Sequence, residues 1–253
     1  MDVDLPARLA AVRDRVRRAC ADAGRRPDAV RVLLATKTQP LDAVRAVLEA
    51  DAAARAVEPS AERPAPVLLG ENRVQELVAK APGLVALEPA WHVIGPLQSN
   101  KVNAALRWAR CVETVASLDL AHRLADRTAD RPGGPLDVMV QVNVSGEETK
   151  SGISPAAAPA LAREVAALEG LRLTGFMTVG ARSADARVVA AGYDRLAAVR
   201  DEVLASGAPG TASALELSMG MSGDLELAIA HGATIVRVGT AVFGSRLPTS
   251  PSA

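Results

Sequence analysis

Val30-Arg31-Val32-Leu33-Leu34-Ala35-Thr36-Lys37 is an apolar run rich in branched residues that ends abruptly in an amine. Such a run predicts a buried strand with a lysine at its carboxyl end. The lysine is informative because the chain has four of them (Lys37, Lys80, Lys101, Lys150) against 25 arginines. A guanidinium stays charged, whereas an amine can lose its proton, attack a carbonyl and hold it as a Schiff base. A solvated lysine at a strand end is the plain reading of that residue alone, so its neighbours in space must decide.

Working outward, residues 4–24 read as an amphipathic helix: Leu5, Leu9, Val12, Val16 and Ala19 recur at three- and four-residue spacing, Pro6 sits in the first turn and Gly24 ends it. Beyond the lysine, Pro40 opens a helix to about Ala50. Residues 51–66, rich in alanine, proline and charge, read as a surface insertion. Further short strands are predicted at 67–70, 91–94, 112–115, 138–144, 171–177, 214–217 and 234–238, with helix-length stretches between them. Eight strands alternating with helices give a single-domain α/β fold, a (β/α)8 TIM-type barrel over residues 1–246 with a tail at 247–253. An open doubly wound sheet is the second choice, weakened because no Gly-rich dinucleotide fingerprint opens the first unit.

Composition narrows the partners. Lysine plus arginine balances aspartate plus glutamate at 29 each, and no polybasic block appears, which argues against nucleic acid or an anionic membrane. Cys20 and Cys111 form neither a CxxC pair nor a disulfide framework, and no run reaches membrane-spanning length. The start lacks the basic and apolar regions of a secretory leader, so the expected compartment is the cytoplasm.

A barrel gathers its strand carboxyl ends on one face, so Lys37, Asn72, Gly95, Asn143, Met177, Ser218 and Gly239 are expected at one mouth. The glycines and hydroxyls of Ser218-Met219-Gly220-Met221-Ser222-Gly223 and of Gly239-Thr240 suit a phosphate, which barrels often bind after strands seven and eight. Read singly they are tight turns with a Ser or Asp helix cap. Asn72 and Gln75 are spaced as a capping box. Arg237, inside a strand covered on both faces, either pairs with a structural carboxylate or points to the mouth and meets a ligand. His92 is expected as a satisfied core histidine, with no metal site around it. Tyr193, the sole tyrosine, is expected on the outer layer, far from the strand ends.

The string Trp91-His92-Val93-Ile94-Gly95-Pro96-Leu97-Gln98-Ser99-Asn100-Lys101, with Leu34 to Lys37, Gly70 to Glu76, Leu217 to Ser222 and Val236 to Thr240, resembles the pyridoxal phosphate homeostasis protein family. These motifs run in order over nearly the whole chain. The resemblance implies a barrel like the N-terminal domain of alanine racemase, with pyridoxal 5′-phosphate held as an imine on Lys37. It also implies phosphate contacts from Ser218, Met221, Ser222, Gly239 and Thr240, Arg237 at the pyridine nitrogen, and Asn72 and Met177 lining the pocket. The implied role is non-catalytic, in vitamin B6 and amino-acid balance, with transient contact with apoenzymes as the open partner class. An amino-acid racemase of the same fold and a class I aldolase acting on a phosphorylated sugar are the enzyme alternatives. Thr36 stands where the family commonly has serine, Val93 where it has a larger Phe or Met, and 51–66 looks like extra sequence.

Overall fold

The computed structural model describes residues 4–59, 63–128, 134–147 and 149–244. Eight parallel strands close into a barrel in sequence order: β1 (Arg31–Ala35), β2 (Leu68–Glu71), β3 (Trp91–Val93), β4 (Ala109–Val115), β5 (Leu136–Gln141), β6 (Leu171–Met177), β7 (Glu216–Met221) and β8 (Ile235–Val238). The helices are α1 (Leu5–Asp22), α2 (Leu41–Val57), α3 (Val74–Lys80), α4 (Val102–Leu106), α5 (Leu118–Ala125), α6 (Ala158–Ala166), α7 (Ala186–Ala205), α8 (Leu225–Ala230) and α9 (Thr240–Phe243). Closure is made by β1 against β8, with Arg31 opposite Ile235 and Leu34 opposite Val238.

The period of two in each strand sorts its side chains. In β1, Leu34 packs outward under the helices in the main core, while Leu33 faces a smaller interior cluster with Leu68, Cys111, Met139, Met177 and Ile235. Each fully buried leucine contributes about 1.5–3 kcal/mol relative to exposure. Below the interior cluster, at the strands' amino ends, lies a ring of charges that answer one another: Arg31 meets Glu216 at 2.7 Å, and Asp137 takes both Arg172 at 2.6 Å and Arg110 at 3.6 Å.

Several boundaries depart from expectation for identifiable reasons. The first part of the expected 51–66 insertion is helical, because α2 continues to Val57. Its alanines favour helix, and Asp51 is buried there, bonded to the Arg13 guanidinium and to Val67 N (3.2 Å). Arg55 Nε then donates to Pro64 O at 2.9 Å, holding the return segment. The expected capping box does not form: α3 begins after Arg73, which makes no side-chain cap. Strand β7 extends to Met221, four residues beyond the expected end, because it continues to pair with β8 (Met221 opposite Arg237). Strand β5 stops at Gln141, after which Val142 makes an isolated bridge to Ile153. The tail at 247–253 lies outside the described residues.

Candidate functional site

The mouth at the carboxyl ends of the strands is a cavity of about 500 Å³. Lys37 reaches it from beyond β1, Asn72 from beyond β2 and Arg237 from β8. Met221 at the end of β7 lines it with Ser222 and Gly223 after it, and Gly239 and Thr240 line it after β8. Ile94, Val179 and the thioether of Met221 supply apolar wall, enough for one flat ring. Lys37, Lys150, Arg182 and Arg237 line the cavity, and no described carboxylate does. Such a concavity attracts an anion, although the chain as a whole is neutral.

Two expected contacts are not at the mouth. Ser218 is fully buried within β7, where its hydroxyl donates to Glu113 Oε2 at 2.6 Å and accepts from Arg237 Nη1 at 2.9 Å. The extended β7 keeps Ser218 in the ladder, so the loop that remains to meet an anion is Met221-Ser222-Gly223. Met177 is likewise fully buried and packs in the interior cluster, below the mouth.

Arg237 stands between the buried network and the cavity. Its side chain reaches the cavity, yet Nη2 donates to Thr178 O at 2.6 Å and Nη1 is linked through Ser218 to Glu113. Glu113 Oε1 in turn lies 2.6 Å from His92 Nδ1, so His92 is the satisfied core histidine expected. Burial alone would raise the Glu113 carboxyl, but the hydrogen bond and charge of His92, the charge of Arg237 and the Ser218 hydroxyl outweigh it and hold it below the usual range. Burial pulls the Arg237 guanidinium downward against the attraction of Glu113.

The last two strands end in a polar turn. Ser222 Oγ accepts from Gly239 N and Ala241 N, both at 3.4 Å, across the amino end of α9. These are long bonds, and an anion there would find the same N–H groups. Asp224 folds back to take Met221 N at 2.6 Å, and its other oxygen accepts the Tyr193 hydroxyl at 2.7 Å. Tyr193 therefore lies close to the strand ends rather than far from them: it is buried, and its hydroxyl would stand 3.0 Å from a Cβ placed on Gly180, a mouth residue. The ring packs in the outer layer, in the main core under α7, and burial together with the hydrogen bond and charge of Asp224 pushes its ionisation far above the ordinary tyrosine range. Gly95 is required for another reason, since a Cβ there would fall 2.2 Å from Asn72 O and displace the wall carrying Asn72.

Residues that escaped the sequence reading surround Lys37. Thr38, the next residue, is left-handed (φ 63°), a conformation that costs a β-branched residue on the order of 1–3 kcal/mol. Its N–H donates to Glu76 Oε2 at 2.6 Å. Lys80 is buried behind it. Lys150 lines the cavity while bonded to Glu147 (2.7 Å) and Gly180 O (2.8 Å). Lys101 lines an adjoining groove that shares Asn72. All four lysines thus stand at the carboxyl end of the barrel, and the scarcity that drew attention to Lys37 was a signal for the other three as well.

The alanine racemase N-terminal domain profile matches residues 9–247. The chain is 42% identical over 240 residues to the pyridoxal phosphate homeostasis protein of Pseudomonas aeruginosa, covering 94% of each. A crystal structure of an unknown protein from Bifidobacterium adolescentis superposes with a TM-score of 0.85 at 41% identity, covering 94% of each chain. PipY of Synechococcus elongatus with PLP bound superposes with a TM-score of 0.76 at 30% identity, over 95% of this chain and 100% of that one.

Proposed function

The chain belongs to the pyridoxal phosphate homeostasis protein family, and on that premise we propose that it binds pyridoxal 5′-phosphate in the barrel mouth as a Schiff base on Lys37. It acts as a non-catalytic holder of the cofactor in the cytoplasm, limiting free aldehyde and serving vitamin B6 and amino-acid balance, with apoenzymes as transient recipients. The observation that carries this reading is an amine among four cations in a cavity lined by no described carboxylate. A phosphorylated aldehyde offers what that donor set lacks: negative charge and an electrophilic carbon. The bound cofactor supplies an aldehyde for attachment and a ring able to withdraw electrons.

The chain's own residues favour holding over reacting. Ser222, Gly223, Gly239 and Thr240 cradle the phosphate, and Asn72 and Ile94 border the ring. Arg237, assigned to the ring nitrogen, is a donor that keeps its proton, so it leaves the nitrogen neutral and weakens the electron sink. Tyr193 is the nearest phenol, but its hydroxyl is committed to Asp224 and holds its proton firmly. With no free carboxylate or phenol lining the cavity among the described residues, proton transfer opposite Lys37 loses a factor of about 10² to 10⁴.

The test is the visible spectrum of the protein equilibrated with pyridoxal 5′-phosphate. A yellow species, bleached by borohydride with the label mapped to Lys37, is expected; a colourless protein overturns the reading. Incubation with L-alanine, L-serine and L-glutamate in deuterated water should give no rapid α-proton exchange. Exchange with inversion that disappears in Lys37→Ala would make this a one-domain racemase.

A further inference from the structure

Lys37 lies two residues past the last strand residue of β1, so the sheet ladder does not fix it. The residues on both sides of it are tied to one buried side chain. Lys80 Nζ donates to Thr36 O at 2.7 Å, to Glu71 Oε1 at 2.7 Å and to Glu76 Oε2 at 3.3 Å. Glu71 Oε1 also takes the Thr36 hydroxyl at 2.6 Å, and Glu76 Oε2 takes the Thr38 N–H at 2.6 Å. The peptide before Lys37 and the peptide after it therefore end on the same ammonium and its two carboxylates. An ammonium has three N–H donors and three acceptors converge on it here; the planar fork of arginine does not match that arrangement. In an arginine-rich chain, this accounts for a lysine at position 80.

The cluster is an expensive way to stabilise a fold. It buries a cation with Glu71, whose Oε2 has no hydrogen-bond partner among the described residues and whose carboxyl is raised by burial against the pull of Lys80 and Thr36. It also holds Thr38 in the left-handed region. Strain and buried charge that surround one side chain point to a requirement for that side chain's position.

We propose that Lys80 is a positioning residue for Lys37: with Glu71 and Glu76 it clamps the peptides on either side and so sets where the Lys37 amine stands in the mouth. The proposal rests on the reading of Lys37 as the amine that binds a carbonyl. Misplacement of a reacting group by about 1 Å costs on the order of 10²-fold in rate.

Two variants test it, Lys80→Met and Thr38→Gly, the second releasing the left-handed strain without removing a buried charge. The readout is the rate at which pyridoxal 5′-phosphate forms the borohydride-reducible adduct at Lys37, at temperatures where circular dichroism shows each variant folded. Both variants are expected to load more slowly by a factor of about 10 to 100. Thr38→Gly should do so with an unchanged or higher Tm. In a Lys37→Ala background, Lys80→Met should leave non-covalent affinity for the cofactor unchanged, because Lys80 acts only through Lys37. Loading at the wild-type rate in either variant overturns the clamp. So does a fall in non-covalent affinity as large as the loss in loading, which would make Lys80 part of the general architecture of the mouth. Wild-type protein that forms no adduct at Lys37 overturns the underlying reading, and the clamp with it.

Discussion

Both ends of the barrel carry cationic side chains and use them differently. At the amino-terminal end Arg31 is matched by Glu216, and Arg110 and Arg172 share Asp137. At the carboxyl end Lys37, Lys150, Arg182 and Arg237 line a cavity with no described carboxylate in its lining, and of these four Lys150 alone has an ion-pair partner among the described residues, Glu147. Charges that answer one another need nothing from outside. Charges of one sign around a cavity leave the last contact to something from outside.

That contrast can be broken from either end, and the effects should differ in size. Lys37→Ala should abolish the cofactor-derived absorbance and the reducible adduct while leaving the far-ultraviolet circular dichroism intact, since Lys37 is only half-buried and packs little. A variant that stays yellow with the same adduct would move the site to another lysine. Glu113→Gln attacks the link between the two ends, because Glu113 holds His92 on one side and, through Ser218, Arg237 on the other. Removing one partner of such a buried set should cost about 3 kcal/mol at pH 7 in denaturant unfolding. Because the folded pKa of Glu113 is depressed, its contribution is complete above the ordinary value of 4.5 and is lost as the pH falls below it. The wild-type and Glu113→Gln stability curves should therefore converge in acid, and a constant gap would show that the loss is packing rather than charge.

Pyridoxal, which lacks the phosphate, should bind more weakly than its ester by at least about tenfold, since a hydrogen bond to a charged group contributes about 1.5–3 kcal/mol. Gly239→Glu, which puts a carboxylate in the cradle, should erase that preference in a titration. The smallest effect belongs to the paired end. Asp137→Asn, removing the acceptor shared by two half-exposed arginines, should lower stability by about 1 kcal/mol or less and leave cofactor affinity unchanged.

What could be read from the chain beforehand was what repeats locally. The branched apolar run at 30–37 marked a buried strand, eight such units implied closure, and closure placed Lys37 with Asn72, Arg237 and Gly239. What could not be read depends on partners far apart in sequence. Ser218 was assigned to the phosphate turn because Ser-Met-Gly-Met-Ser looks like a loop, but its bond to Glu113 spans 105 residues and its strand continues because β8 is beside it. Tyr193 is on the outer layer as expected, but its nearness to the strand ends could not be read, because helix periodicity shows which face is buried and not which turn it meets; the bond to Asp224, 31 residues on, sets that. The Lys80 clamp joins residues 36, 38, 71 and 76, and no local pattern marks a threonine that must turn left-handed.

The pairing of β1 with β8 has a consequence for when the site comes into existence. Lys37 follows the first strand, Gly239 and Thr240 follow the last, and these two strands form the seam of the cylinder. During synthesis at about 5–20 residues per second, roughly 10–40 s separate the emergence of the amine from that of the proposed phosphate cradle. A nascent chain carries the lysine long before the mouth is assembled around it, so the proposed capture of an aldehyde there would await ring closure. Afterwards, anything that grips Lys37 and Gly239 together acts as a latch across the seam and holds the cylinder shut.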